Sequence, residues 1–338
     1  MPNGDYLGKR GANAGDDYHE LWAVRRALEL IVPGTPLVAL TVEGVLAADE
    51  AGIADAMWDG VDAACYFGPD LERIERVELV QLKYSGSSPT ARWTVARLAH
   101  ADNQKKTNAV IRRLATAWKT MREQRPALDA ARGISVKLVS NQPVVNEVTR
   151  ALAARPSDPK RTRLRKASGL GARDFTSFVA ALDLSQCGDV SRFAHEERVI
   201  VALSVLKDGD VRSEFAQLRE FMRKRMRPEG KGQEITAESI FSLFGHADRR
   251  AFFPCPARLE VAAPLIPRAA SDTLRDRFLA GAMKLCLRGA GGEGKTTVLQ
   301  DLATKLPKGS ELIVYDCYGE GTYLDADGHR HRAEDAFL

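Results

Sequence analysis

The chain has 338 residues, of which 44% are hydrophobic and 28% charged, and its formal net charge is +4. This composition is typical of a globular protein with room for two domains and excludes a wholly disordered chain. No apolar run of about eighteen residues occurs and residues 1–17 lack the apolar core of a signal peptide, so we expect a cytoplasmic protein with no membrane partner. The five cysteines include no CxxC pair, which argues against a zinc site and against a disulfide framework.

The apolar pattern of the first 150 residues predicts a helix, three strands, a helix and a strand. The first helix covers about residues 17–31, where Pro33 and Gly34 end it. Strands are predicted over 37–45, 61–67 and 76–84, helical spacing over 93–125, and a further strand over 134–140. Residues 143–246 are mostly helical in pattern, with amphipathic segments near 172–184 and 211–226. Phe253-Pro254-Cys255-Pro256 marks a domain boundary, followed by a linker up to about residue 280.

A glycine-rich loop matches the GxxxxGK[ST] pattern of nucleotide-binding proteins. It runs from Gly289 through Gly291, Gly292 and Gly294 to Lys295 and Thr296, with Thr297 next. A short buried strand predicted over 283–287 and a helix predicted over 296–306 give the loop its required context. The glycines allow backbone N–H groups to surround phosphate oxygens, Lys295 would reach the β- and γ-phosphates of ATP, and Thr296 would bind the Mg²⁺ that bridges them. A glycine-rich turn that binds nothing is the alternative.

Too few residues follow this loop for a complete NTPase domain, which usually needs about 100 residues or more. Hydrolysis also needs an acidic residue on a later strand, and the next strand candidate, residues 311–317, carries only Asp316 at its end. We therefore expect ATP binding with incomplete ATPase chemistry, in an N-terminal piece of a longer protein.

A second group of residues lies in the first domain, where Asp62 is followed by Gln81 and Lys83 in the order D-x18-Q-x-K. Because side chains alternate along a strand, Gln81 and Lys83 point to the same face. This group resembles the PD-(D/E)XK nuclease superfamily, in its Mrr-like variant with Gln at the second position, and the endonuclease effectors of CBASS antiphage systems. A solvated strand face with Asp62 in a turn is the alternative.

The resemblance implies a metal-dependent endonuclease with Asp62, Gln81 and Lys83 as its catalytic residues. Hard cations such as Mg²⁺ or Mn²⁺ select carboxylate and carbonyl oxygens, so the metal ligands would be Asp62, Gln81 and either Glu43 or Glu20. Lys83 would orient the attacking hydroxide or stabilise the charge of the transition state. His19 is more often a packing or capping residue.

The segment that begins with Val314-Tyr-Asp-Cys-Tyr-Gly resembles the early part of the NTPase module in bacterial STAND ATPases, the NACHT-like antiphage sensors. This resemblance, over about 284–338, implies a switch between an N-terminal effector and a sensor for a phage-derived trigger, and the sensor is absent from the sequence. ATP-dependent homo-oligomerisation would then activate the nuclease.

Together these patterns predict an α/β protein with three parts. Residues 1–250 form a PD-(D/E)XK-like endonuclease domain, with its core at about 15–142 and a helical extension after it. Residues 251–280 form a linker, and 281–338 form an incomplete P-loop STAND NTPase domain. The expected partner is double-stranded DNA. The alternative function is a catalytically inactive nuclease-like module for assembly or protein binding, attached to an ATP switch.

Basic residues cluster over 105–125, 160–166 and 223–227. These clusters would suit the phosphates of DNA, with binding that depends on salt and little on sequence. A solvated loop explains the run at 160–166 equally well.

Overall fold

A computed structural model describes residues 4–32, 34–101, 108–188, 191–206, 210–247, 265–290, 292–310 and 312. The chain divides into two compact units, Met1–Phe252 and Phe253–Leu338, which we call unit 1 and unit 2. Among the described helices, none is both long and apolar enough to cross a membrane.

Unit 1 is built on a mixed sheet of five strands in the order β1-β2-β3-β4-β5. The strands are β1 (Leu37–Val42), β2 (Ala63–Phe67), β3 (Arg76–Lys83), β4 (Ile134–Ser140) and the short β5 (Leu182–Asp183). The pairs β1–β2 and β2–β3 are antiparallel, whereas β3–β4 and β4–β5 are parallel. The parallel pair β3–β4 requires a crossover, and helices supply it.

Helices surround this sheet and continue after it. Before β4 they are α1 (Gly4–Glu29), α2 (Ala47–Glu50), α3 (Val95–Leu98), α4 (Val110–Gln124) and α5 (Pro126–Ala130). After β4 they are α6 (Asn146–Ala153), α7 (Pro159–Ser168), α8 (Ala172–Ala181), α9 (Arg192–Leu206), α10 (Val211–Arg225) and α11 (Ala237–Leu243).

Two hydrophobic cores cover the two faces of the sheet, because successive strand residues point to opposite sides. One core joins Leu79 and Leu138 of the sheet to α4, α6, α7 and α8. The other joins Val80 and Leu82 to α1, α9, α10 and α11. The near-continuous burial of β2 and β3 follows from this arrangement, since both faces of these strands are covered.

The α/β class and the order of the predicted elements are confirmed, but the helical spacing over 93–125 corresponds to two separate helices, α3 and α4. In addition, α1 begins at Gly4 and not near residue 17. Its first turns contain Gly8, Gly11 and Gly15, which have low helix propensity and therefore gave no helical signal. The basic run at 160–166 is helical and not a loop. Asp158 caps α7 by accepting hydrogen bonds from the backbone N–H groups of Lys160 and Arg161, both at 2.9 Å.

Unit 2 contains two packed helices, α12 (Ala269–Leu279) and α13 (Lys295–Lys305). The helix α12 occupies most of the second half of the predicted linker, residues 251–280. Residues 251–264 of that linker lie outside the described residues. The buried strand predicted over 283–287 is wrong, because this segment is irregular and the Met283 side chain is 95% exposed. A strand forms only with a hydrogen-bonded partner, and no strand occurs among the described residues of unit 2. Apart from Leu312, the predicted strand 311–317 lies outside them.

Candidate functional site

Three polar residues form a row across one end of the sheet in unit 1. Glu43 follows β1, Asp62 precedes β2, and Gln81 lies near the end of β3. The N–H of Glu43 donates to the carbonyl of Asp62 at 2.8 Å, and the N–H of Asp62 donates to the carbonyl of Val80 at 2.9 Å. These bonds extend the strand pairing by one residue, and residues opposite each other on neighbouring strands share a face. The structure thus brings the predicted residues Glu43, Asp62 and Gln81 together.

Glu43 is the most unusual member of this row. Its φ of 54° lies in the left-handed region, which is uncommon for a residue with a Cβ. Although Glu43 is an exposed residue, partial desolvation of its carboxyl, followed by the negative charges of Asp62 and Asp16, raises its pKa to about 7, while Lys83 acts in the opposite direction. Near neutral pH this carboxyl is therefore divided between its protonated and ionised forms, and a nearby cation would favour the ionised form.

Asp62 is held in place by the neighbouring strand. Its Oδ2 accepts a hydrogen bond from the N–H of Leu82 at 2.5 Å, and the side chain is half-buried. Among the described residues Oδ1 has no hydrogen-bond partner. A carboxylate with one oxygen fixed by the backbone and the other available can bind a cation without rearranging.

Gln81 and Lys83 occupy alternate positions on β3 and therefore share a face. Gln81 is fully buried, and neither atom of its amide has a hydrogen-bond partner among the described residues. Buried amides are normally paired, so an unpaired one in this row indicates a position where another polar species can bind. Lys83 is half-buried at the end of the strand. Its positive charge acts to lower the pKa of both Glu43 and His19.

Helix α1 adds two residues that the sequence did not assign to the site. His19 Nε2 lies 3.2 Å from the carbonyl oxygen of Leu82. Burial lowers the pKa of His19, and Lys83 contributes to the decrease, whereas Asp62 opposes it. The negative charge of Asp16 acts to raise the pKa of both Glu43 and His19. In the sequence, these two residues could have been found from their spacing of three, which places Asp16 and His19 on one side of a helix.

Glu20 is not available as a metal ligand, which removes one of the two candidates for the extra carboxylate. It is 4% exposed and bonded to the guanidinium groups of Arg219 and Arg223 on α10, the second at 2.7 Å. Arg219 also pairs with Asp17 at 3.0 Å. Glu20 therefore joins α1 to α10, and sequence spacing could not predict a partner about two hundred positions away.

The row offers oxygen ligands that suit a hard cation. Glu43 and Asp62 supply carboxylates, and the unpaired amide oxygen of Gln81 supplies a neutral ligand. No group of three or more His, Cys, Asp or Glu residues with metal-site geometry occurs in the described part of the chain. A Mg²⁺ or Mn²⁺ ion here would therefore depend on the amide and on water for part of its coordination.

Many of the basic residues of the three clusters are engaged within unit 1. Arg122 pairs with Asp129 at 2.6 Å and Arg125 pairs with Asp49 at 2.6 Å. In the second cluster, Arg161 is buried, and in the third, Arg223 pairs with Glu20. Lys105 and Lys106 lie outside the described residues. Part of this positive charge is therefore used within the fold, whereas Arg163, Lys166 and Lys224 are exposed.

The glycine-rich loop of unit 2 is seen except for Gly291, which lies outside the described residues. Gly292 and Gly294 both have a φ of 79°, a conformation that favours glycine, and Gly294 directly precedes α13. Lys295 Nζ donates to the carbonyl oxygens of Gly289 at 2.8 Å and Ala290 at 2.7 Å. The lysine therefore lies across the loop, at the open N-terminal end of the helix.

The two helices of unit 2 are joined by a buried carboxylate. Asp301 of α13 accepts hydrogen bonds from the N–H of Arg268 at 2.8 Å and from the hydroxyl of Ser271, and it pairs with Lys305 at 2.9 Å. These interactions, led by the Arg268 N–H, lower the pKa of Asp301 to about 2. Thr296 is exposed and Thr297 is half-buried at the start of α13. Both hydroxyls are next to the loop.

A scan against protein-family models finds no match for this chain, and a search of the curated proteins finds no significant match either.

Proposed function

We propose that unit 1 is a metal-dependent endonuclease that acts on double-stranded DNA and that unit 2 binds ATP through its glycine-rich loop. The observation that carries the nuclease proposal is the row of Glu43, Asp62 and the unpaired Gln81 beside Lys83. The strand order β1-β2-β3-β4, antiparallel up to β3 and then parallel, supports a PD-(D/E)XK-like core. We extend the proposal to an antiphage effector that is activated when ATP-bound copies assemble, as the sequence resemblance implies.

In this proposal each residue has a separate role. Asp62, Glu43 and the Gln81 amide oxygen would hold a Mg²⁺ or Mn²⁺ ion, which offsets charge on the phosphate and lowers the pKa of bound water. Lys83 places its positive charge next to the row, where it can orient the attacking oxygen and stabilise negative charge that develops on the scissile phosphate. The Leu82 N–H fixes the orientation of the Asp62 carboxylate.

The catalytically inactive assembly module remains a second candidate, favoured by two observations. No group of three typical metal-binding side chains is present in the described ranges, and the amide of Gln81 is fully buried. In this candidate the fold is retained while the site is closed to substrate.

Cleavage of plasmid DNA separates the two candidates. The purified chain is incubated at high concentration with supercoiled plasmid and either Mg²⁺ or Mn²⁺, with EDTA as the metal-free control. We expect nicking that EDTA abolishes and that Lys83→Met reduces by roughly 10²-fold, a common cost for loss of an electrostatic catalytic group. Lys308→Met, which removes an exposed lysine of unit 2 outside the three basic clusters, should cut like the wild type. Absence of cleavage with both metals would favour the assembly module.

A further inference from the structure

Arg97 on α3 is a partly buried arginine with no carboxylate partner among the described residues. Its guanidinium stacks on the indole of Trp93, with Cζ 3.9 Å from the ring centroid. Nη2 donates to Oε1 of Gln142 at 2.6 Å, whereas the buried Nη1 has no acceptor in the described part of the chain. Arg97 thus carries a positive charge that no carboxylate among the described residues offsets, on a side chain that is partly exposed.

This environment differs from that of other arginines in unit 1. Arg122, Arg125 and Arg219 each pair with a carboxylate at 3.0 Å or less. No carboxylate in the described ranges offsets the burial of the Arg97 guanidinium, and this burial lowers its pKa from the ordinary value. Removing a cation from water without a counter-charge is unfavourable, and an incoming anion would relieve that cost.

The surrounding residues hold the guanidinium in one orientation. Gln142 is 1% exposed, its Nε2 donates to the carbonyl of Ser88, and its N–H donates to Oγ of Ser140 at 3.1 Å. At the backbone, the N–H of Arg97 donates to Oγ1 of Thr94, which caps α3. Because its partners are themselves fixed, Arg97 is pre-organised before any ligand arrives.

Arg97 is tied to the same end of the sheet as Lys83. Lys83 is the register partner of Ser140, and Gln142, which binds Arg97, follows Ser140 by two residues. The ends of the two strands are also joined by Ser85 and Asn141, through hydrogen bonds of 3.0 and 2.9 Å. An anion at Arg97 would therefore lie at the same end of the strands as the proposed catalytic row.

We propose that Arg97 binds a backbone phosphate of double-stranded DNA and so positions the duplex beside Lys83. This inference rests on the nuclease function proposed above. A planar guanidinium that is held in one orientation against an aromatic ring matches the geometry of a phosphate better than an ammonium group does. The contact would be to the phosphate only and would carry no sequence preference.

The test measures the binding of a short labelled DNA duplex at a series of salt concentrations. All proteins carry Asp62→Asn, which is expected to slow cleavage, so that binding is measured before the DNA is cut. Adding Arg97→Met should reduce the slope of log K against log[salt] by about 0.9, the value for one phosphate contact. It should weaken binding roughly tenfold, as expected for one charge-assisted hydrogen bond. Arg97→Lys should keep the salt slope and bind less tightly than arginine.

Arg73→Met is the matched control, because it removes the same charge from an exposed residue that precedes β3 and pairs with Asp70. This variant should leave the slope unchanged. Equal slopes for Arg97→Met and Arg73→Met would overturn the inference, even if the wild type cuts DNA. If Arg97→Met does not fold, an Arg97→Lys protein with unchanged affinity would overturn it instead. A wild-type chain that neither binds nor cuts DNA would refute both this inference and the nuclease function.

Discussion

Glu43 combines a left-handed backbone with a carboxyl that is difficult to ionise. Such backbone strain costs of order 1–3 kcal/mol and persists where the surrounding structure enforces it, often at functional sites. Here the N–H of Glu43 is fixed by the carbonyl of Asp62, while Thr41 Oγ1 donates to the carbonyl of Gly44 at 2.8 Å. The strand end is therefore built to hold a second carboxylate next to Asp62.

The raised pKa of Glu43 predicts how stability changes with pH. Because the folded-state pKa of about 7 exceeds the ordinary value of 4.5, the stabilisation from its protonated form is complete below pH 4.5 and is lost as the pH rises through 7. Glu43→Gln should therefore raise Tm at pH 8 without metal. We expect about 1 kcal/mol after allowance for solvent screening, or roughly 2–4 °C. At pH 4 the two proteins should unfold together.

Thermal unfolding with Mn²⁺ provides the complementary measurement for Glu43. The ion should raise the Tm of the wild type more than that of Glu43→Gln, because stabilisation of the folded state by a ligand increases with the ligand's affinity. The role assigned to this carboxylate would be contradicted by a Glu43→Gln protein whose Tm at pH 8 without metal is lower than that of the wild type. It would also be contradicted if Mn²⁺ raised the Tm of both proteins equally.

Local spacing was sufficient to predict that Asp62, Gln81 and Lys83 lie together, since strand alternation and hairpin pairing bring such residues together. It could not decide between Glu20 and Glu43, because that depends on α10, whose arginines bind Glu20. The roles of Asp16 and His19 also depend on how α1 packs across the sheet. Sequence periodicity does not contain that information.

At the scale of elements, α4 packs closely against the turn that leads into Asp62. A Cβ on Gly60 would lie 2.7 Å from the Cβ of Arg113 and 2.8 Å from its carbonyl carbon, which is closer than atoms can approach. The contact therefore couples the start of α4 to the position of Asp62.

Gly60→Ala should destabilise unit 1 by about 1–3 kcal/mol, the usual cost of overpacking, and should slow DNA cleavage by displacing Asp62. Urea unfolding and the plasmid assay measure the two effects. Gly15→Ala is the control, because nothing lies within 4 Å of its added Cβ and α1 should gain about 0.4–1 kcal/mol. Equal stability of the two variants would show that the packing of α4 on this turn is unimportant.

The elements that the sequence predicted best are those with strong apolar patterns. The limits of β4, Ile134–Ser140, agree with the prediction, and β3 differs only at its end. The failures have physical causes: the glycine-containing start of α1 has weak propensity, and the apolar segment 283–287 has no strand to pair with among the described residues. Apolar composition predicts burial only where a partner surface exists.

At the scale of the whole molecule, the chain joins the proposed site in unit 1 to the glycine-rich loop in unit 2. Lys295→Ala should abolish binding of ATP with Mg²⁺ and leave DNA cleavage by unit 1 unchanged. Titration calorimetry measures the first effect and the plasmid assay the second. We expect weak ATP binding and negligible turnover by this chain, because the described part of unit 2 contains no strand to carry a second acidic residue. Rapid phosphate release would contradict this prediction.

Assembly is the second property at this scale. We expect residues 1–338 without nucleotide to be monomeric or weakly dimeric, since the resemblance assigns oligomerisation to the ATP-bound NTPase module. Light scattering at several protein concentrations measures the mass. A stable tetramer without nucleotide would place the oligomerising surface within this chain.

The central claim is that the row containing Asp62 cuts DNA, and the initial rate of plasmid cleavage by Asp62→Asn tests it most directly. The substitution keeps the shape of the side chain and an oxygen that can accept the Leu82 N–H, so the fold should survive, as an unchanged Tm would verify. With Mn²⁺ in excess, we predict a rate lower than that of the wild type by at least roughly 10²-fold. A folded Asp62→Asn protein that cuts DNA as fast as the wild type would contradict the claim.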